Sequence, residues 1–318
     1  MNKKLSVVLL IDNEPLYTPY IIRKLIEELD FNLTLKAVVF TEGNYRKISD
    51  KQNKQEVNNL YGSFNSFMLN LFYNYKSAVL NNDAENNCFR VLEKAGIEYR
   101  ITNEINSDEI VDFIKSNEID ILFSLTHHIL KSNVLNSPKL VCINRHPGKL
   151  PIHAGLQPIL YTMLEQKDKQ QVTITQTMHT MVEKIDAGKI LIETDYNIPR
   201  NSSLFYGYTV IYKDTVRMFN TAVKNYLSNQ VYNQDMNKRK YYSFPNKEIC
   251  KEFRKLYKIF TWKEYFNNMK LKDNNIGGGY SKGLLSNEYL PNIFFKNILA
   301  DFLNIVTNNL QKRWLWVK

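Results

Sequence analysis

Four short runs of this chain are apolar on consecutive positions: LSVVLLI (residues 5–11), LTLKAVVF (33–40), IDILFSL (119–125) and KLVCIN (139–144). A strand with one wet face alternates apolar and polar residues, whereas a strand covered on both faces does not, so these runs predict a mostly parallel sheet packed between helices. Residues 16–29 carry apolar side chains at helical spacing between the first two runs. Together they make a strand–helix–strand unit whose crossover is right-handed. With 318 residues, the chain can bury one large domain and carry a smaller appendage.

The remaining pattern extends this α/β reading. Residues 41–80 open polar and then place Leu60, Tyr61, Phe64, Phe67, Met68, Leu71, Phe72 and Tyr75 at helical spacing, the mark of a packing face. A helix over 84–95 leads through Gly96 to the strand IEYRIT, and Asn106 or Ser107 caps a helix over 108–116 whose first turn holds Asp108 and Glu109. Further on, the pattern predicts a helix over 155–165, paired strands over 172–180 and 188–198, and one long helix capped by Asn201 or Ser202 and ending near 227. A boundary falls near 228–235, giving a domain over 1–230 and a C-terminal extension over 231–318. The extension holds a basic aromatic stretch, a glycine break at 277–279 and an amphipathic helix over 293–306 suited to docking or a homodimer contact. A membrane-surface role for that helix, helped by Arg313, Trp314, Trp316 and Lys318, is the alternative.

The formal charge of +10 raises the question of a nucleic-acid partner, since clustered Lys and Arg neutralise phosphates. The chain is rich in Lys, Asn, Tyr and Ile throughout, which accounts for the charge without such a partner. The densest basic stretch keeps an anionic partner open: Lys238, Arg239, Lys240, Lys247, Lys251, Arg254, Lys255 and Lys258 face only Glu248 and Glu252, with five aromatic residues interleaved. Cys88, Cys142 and Cys250 are scattered and odd in number, which argues against a disulfide framework. No apolar segment is long enough to span a bilayer. The expected compartment is the cytoplasm.

All five histidines fall between positions 127 and 179. Asn144 and His146 stand two apart where the fourth apolar run ends, so their side chains point the same way and can aim at one atom. An amide N–H and an imidazole converging on one oxygen make an oxyanion hole, which acyl transfer needs. Pro147 and Gly148 turn the chain there, and Gly148 lets backbone approach a ligand closely. A proton acceptor is still required. Asp186, in KIDAGKI beside Ala187 and Gly188, is the carboxylate expected opposite Asn144 and His146. His127, His128, His146 and His153 lack a carboxylate or cysteine at metal-binding spacing, so no metal is expected.

The order N-x-H-P-G-x-L-P, then Gly155, then H-x6-D-x-G-x-I resembles the formyltransferases that use 10-formyltetrahydrofolate. Asn144, His146, Pro147, Leu150, Pro151, Gly155, His179, Asp186, Gly188 and Ile190 carry the resemblance, and the strand pattern spreads it over residues 5–227. It implies a Rossmann-like formyltransferase fold with a mostly parallel sheet and a small C-terminal extension. It implies Asn144, His146 and Asp186 as the catalytic set, with Pro147, Gly148 and Gly155 shaping the substrate loop. It also implies that the folate cosubstrate lies against Leu125, Thr126, His127, Leu130, His179 and Ile185.

Two departures bear on the acceptor. The stretch after the first apolar run, LIDNEPLYTP, has no glycine, so it cannot offer a close cradle of backbone N–H groups to a terminal phosphate. Where the family often has arginine before the glycine matching Gly155, this chain has His153 and Ala154. The expected acceptor is a small-molecule primary amine, an amino sugar linked to a nucleotide. Methionyl-tRNA formylation, formyl-folate hydrolysis and a silent binding protein of the same fold are the alternatives.

Overall fold

The computed structural model describes residues 4–13, 17–42, 50–62 and 88–261. Expectations for the aromatic positions 64–75, the glycine break at 277–279 and the helix over 293–306 lie outside the described residues. Strands β1 (Leu5–Asp12), β2 (Leu33–Thr41), β3 (Glu98–Thr102), β4 (Ile121–Leu125) and β5 (Val141–His146) run parallel. Strands β7 (Gln171–Thr180) and β8 (Ile190–Pro199) complete a seven-stranded sheet in the order β3-β2-β1-β4-β5-β7-β8, with β5–β7 and β7–β8 antiparallel. The fold is therefore α/β with a mostly parallel central sheet.

The period-two alternation of the strands sorts the core into two layers. Leu9, Ile11, Phe40, Phe123 and Ile143 point to helix α1 (Thr18–Glu28) and to Met218 and Phe219. Phe123 and Phe219 stack with ring centroids 4.0 Å apart. Val8, Leu10, Val39, Leu122 and Cys142 point the other way. They pack on Ile110, Val111 and Ile114 of helix α4 (Asp108–Ser116), which follows α2 (Asp50–Tyr61) and α3 (Cys88–Lys94) in the chain. Both faces are covered, which is why these strands read as unbroken apolar runs. Sequence order turns back at β1, with β2 on one side and β4 on the other. In open α/β sheets ligands bind at such a switch point, outside the carboxyl ends of the strands.

Three local expectations are corrected. Residues 155–165 are not one helix: Ala154–Gly155 form the short strand β6, which pairs with β9 (Tyr241–Tyr242), and the helix after the short α5 (Ser132–Leu135), α6, begins only at Pro158 (Pro158–Glu165). Gly155 has φ +99°, and a Cβ there would stand 2.2 Å from the Tyr242 carbonyl, so a glycine is required for this pairing. The helix expected from 201 or 202 to 227 is two helices, α7 (Leu204–Lys213) and α8 (Thr215–Leu227), broken at Asp214. Its cap is Ser203, whose hydroxyl accepts from the Tyr206 N–H. Before α4, Ser107 occupies the cap position without a side-chain cap bond, and the Asn106 amide instead joins Ile129 and Lys131.

The first compact unit of the chain runs from Met1 to Leu271. Helix α9 (Lys247–Leu256) buries Cys250 and Phe253, with Tyr257 and Ile259, against Ile159, Ile174 and Ile198. Its charged residues Lys247, Lys251, Arg254 and Lys255 stay on the outer side. Among the described residues, no helix is long and apolar enough to cross a membrane.

Candidate active site

Strand β5 ends at His146, and its register against β7 sets Asn144 opposite His179. The Asn144 amide nitrogen is 3.1 Å from His179 Nε2. His179 Nδ1 is 2.8 Å from the Thr180 carbonyl, which can only accept, so Nδ1 carries the proton and Nε2 accepts from Asn144. By the same reasoning His146 donates from Nε2 to the His153 carbonyl at 2.7 Å. Its Nδ1 then faces Asp186 Oδ1 at 3.6 Å, and the same oxygen lies 3.7 Å from His179 Nε2. The second oxygen, Oδ2, accepts from the Gly155 N–H at 2.8 Å. One carboxylate thus joins the strand end, the loop after it and the β7 histidine.

The loop that carries Gly148 closes tightly over His146. A Cβ at Gly148 would stand 2.6 Å from Pro158 Cβ and 3.0 Å from His146 Nε2, so a side chain there would push the imidazole off the His153 carbonyl. Asp186 itself adopts φ +51° in the turn between β7 and β8, a strained conformation for a residue with a Cβ. Gln234 holds that turn by donating to the carbonyls of Asp186 (3.0 Å) and Gly188 (2.7 Å), and Arg239 donates to Ile185 O at 2.9 Å.

Burial is the largest single influence on Asp186 and on His179 and acts in opposite directions on the carboxyl and the imidazole. It raises the proton affinity of Asp186, but the His146 and His179 imidazoles, the Gly155 N–H and Arg239 outweigh it and hold the carboxyl below its usual range. Burial pushes His179 down to about 4, with His146 adding to the effect and Asp186 opposing it, so this imidazole is neutral near pH 7. At the switch point, burial of Asp12 is outweighed by hydrogen bonding and charge from His127 together with Thr126 and Thr41, and its carboxyl falls to about 2.

The expected folate contacts are mixed in character. Leu125 and Leu130 are buried in the core, so they can offer only backbone. Thr126 and His127 are engaged with Asp12 through both side chains and the His127 N–H. His179 is in the Asn144 pairing. Ile185 is exposed, as are Ile129 and Val182. A Ser132–Glu183 hydrogen bond ties the segment after Ile129 to the turn that carries Val182. Gln234, Arg239 and Asp12 were not expected at the site. The first two have no fixed spacing to KIDAGKI, whereas Asp12 carried a usable signal, an acidic residue ending an apolar strand.

A family model described as "Formyl transferase" matches residues 35–206, more than half of the chain. The chain belongs to the formyl transferase family. Methionyl-tRNA formyltransferase of Rickettsia bellii is 28% identical over 116 residues, 36% of this chain and 37% of that protein. The Bacillus licheniformis methionyl-tRNA formyltransferase is 28% identical over 154 residues, 48% of each. The matched part of this formyl transferase thus spans between a third and a half of the length of these relatives. Among solved structures, glycinamide ribonucleotide transformylase 1 from Symbiobacterium toebii is 12% identical and covers 74% of this chain and 96% of its own, with a TM-score of 0.50. That likeness is one of fold.

Proposed function

We propose that this formyl transferase moves a formyl group from 10-formyltetrahydrofolate to the primary amine of a nucleotide-linked amino sugar. The carrying observation is the joining of Asn144, His146, His179 and Asp186 at one strand end through Asp186 Oδ1 and the Asn144 amide. In this reading the amine lone pair attacks the formyl carbon and charge gathers on the formyl oxygen. Asn144 stabilises that oxygen with the N–H it does not give to His179, and His146 does so only as an imidazolium donating from Nδ1, its Nε2 proton being committed to His153 O. Asp186 takes the proton from the attacking ammonium, a role that suits a carboxyl kept ionised by its neighbours. Collapse breaks the bond to N10 of the folate, and that nitrogen receives the proton. The exposed Ile129, Val182 and Ile185 provide apolar surface for the folate.

Asp12 supports an acceptor without a terminal phosphate at the end of β1. A carboxylate with its affinity for protons lowered to about 2 repels phosphate at the place where a glycine loop would bind it. Glycinamide ribonucleotide is therefore not the acceptor expected in this reading. A second reading, formylation of initiator methionyl-tRNA, draws on the names of the curated relatives and on the outward lysines of α9. Incubation with 10-formyltetrahydrofolate and a panel of 3-amino, 4-amino and 6-amino nucleotide sugars, beside initiator methionyl-tRNA and glycinamide ribonucleotide, separates these. Formylation of a sugar alone supports the first reading. Formylation of the tRNA alone, with binding that weakens steeply as salt rises, replaces it with the second.

A further inference from the structure

Between Asn144 and His146 stands Arg145, whose side chain leaves β5 on the opposite face. It is 8% exposed, and neither its Nε nor its Nη1 has a hydrogen-bond partner among the described residues. Guanidinium remains protonated under all conditions in which a protein folds, so this is a buried positive charge rather than a neutral group. Register places Arg145 opposite Met178, which makes Gln176 its diagonal neighbour on the same face, within reach of two long side chains. Gln176 is fully buried, and both its Oε1 and its Nε2 lack partners among the described residues. Two adjacent, buried and unsatisfied polar side chains run against the usual rule for a core.

The guanidinium is nonetheless held in place. Its Cζ lies 3.9 Å from the centroid of the Tyr212 ring, and Tyr212 stacks in turn on Tyr17 with centroids 3.9 Å apart and planes 3° from parallel. Stacking fixes the plane of the guanidinium through its face and leaves the in-plane N–H edge for an acceptor. No ion pair joins Arg145 to a carboxylate among the described residues. Asp12 shares the strand parity of Val8 and Leu10, which face α4, so its negative charge lies on the far side of the sheet.

We infer that Arg145 and Gln176 form an oxyanion-binding subsite that selects an acceptor carrying a phosphate or a carboxylate, rather than a neutral amine. The anion takes the two in-plane N–H groups of Arg145, and the Gln176 amide donates beside them. The inference rests on the proposed formyl transfer only for what the subsite is used for, because binding of the anion itself needs no folate. It makes Arg145, the middle residue of Asn144-Arg145-His146, a specificity determinant on the other face of the strand that carries the proposed catalytic pair.

The test is thermal unfolding of the full chain, titrated separately with inorganic pyrophosphate, inorganic phosphate and acetate. A saturable rise in Tm is expected, with either phosphate probe if the acceptor anion is a phosphate, or with acetate alone if it is a carboxylate. Arg145→Met is expected to melt at the same or higher temperature without anion and to lose the rise entirely. A residue kept only for stacking on Tyr212 would instead lower the basal Tm when removed and leave the anion response intact. Gln176→Leu keeps the charge and is expected to weaken the anion about tenfold, and it carries the test if Arg145→Met does not fold. Absence of a saturable shift with all three anions, or its persistence in the variants, overturns the inference. A parallel titration with 5-formyltetrahydrofolate keeps the readings apart, since an anion response without a folate response removes formyl transfer and leaves the subsite.

Discussion

On one face of the β5 end, Asn144 and His146 each have a hydrogen-bond partner and share Asp186 through His179 and directly. On the other face, Arg145 and the neighbouring Gln176 are also deeply buried, yet Arg145 Nε and Nη1 and both polar atoms of the Gln176 amide have no hydrogen-bond partner among the described residues. Both sets sit on the same two strands, so fold and burial are nearly constant between them. What differs is how the polar groups are satisfied. The groups proposed to do the chemistry are tied to the protein by hydrogen bonds, whereas the Arg145 guanidinium proposed to receive an anion lies against the Tyr212 ring.

The largest effect is expected on the partnered face. Asp186→Asn removes the proton acceptor with little change in shape, and turnover should drop about a hundredfold or more while the far-UV spectrum stays unchanged. A folded Asp186→Asn protein with near wild-type turnover would erase the functional distinction between the faces. Removing the Asn144 and His146 side chains together should cost much less than the sum of the single losses, since both serve one developing charge.

Next comes the pH dependence of stability. His179 is neutral in the folded protein down to about pH 4, whereas an unfolded histidine takes its proton near pH 6.5. Between those values the unfolded chain binds more protons, so stability falls as pH falls through this window and recovers above it. Chemical denaturation at pH 7, 6 and 5 should show a loss of a few kcal/mol, and His179→Gln, which can still accept from Asn144, should flatten it. An unchanged pH profile in His179→Gln would show that His179 is not the buried neutral group described.

Smaller effects sharpen the contrast. Arg145→Met relieves an unpaired buried charge and should raise stability by about 1 kcal/mol in the absence of anions, the opposite sign to most core substitutions. Gln234→Leu takes two hydrogen bonds from the Asp186 turn and should lower turnover only a few-fold, with a stability loss of about 1 kcal/mol. Equal losses from Gln234→Leu and Asp186→Asn would make the turn, not the carboxylate, the sensitive element.

How much of this was legible in the sequence follows from how local each cause is. Strands β1, β2, β4 and β5 were readable because burial on both faces leaves an unbroken apolar run. The nearness of Asn144, His146 and Asp186 was legible because two lie on one strand and the third in a short glycine-flanked turn. The break between α7 and α8 was not, since Asp214 is engaged by Tyr196 from β8 as well as by nearby Arg217, a tertiary cause. The start of α6 was hidden for the same reason: Gly155 pairs with Tyr242, remote in sequence. Gln234 and Arg239 reach Asp186 and its turn from outside any motif. Arg145 did leave a trace, a charge at the strand position that continues the core-facing alternation of Val141 and Ile143.

The central claim is that the partnered face performs formyl transfer with Asp186 as proton acceptor. The most direct measurement follows tetrahydrofolate and formylated amine together, starting from 10-formyltetrahydrofolate and the amine panel, in the wild-type and Asp186→Asn proteins. The account predicts that both products appear in equal amounts with one class of amine and that both are nearly lost in Asp186→Asn. Tetrahydrofolate released with no formylated amine, or equal rates in the two proteins, would contradict it.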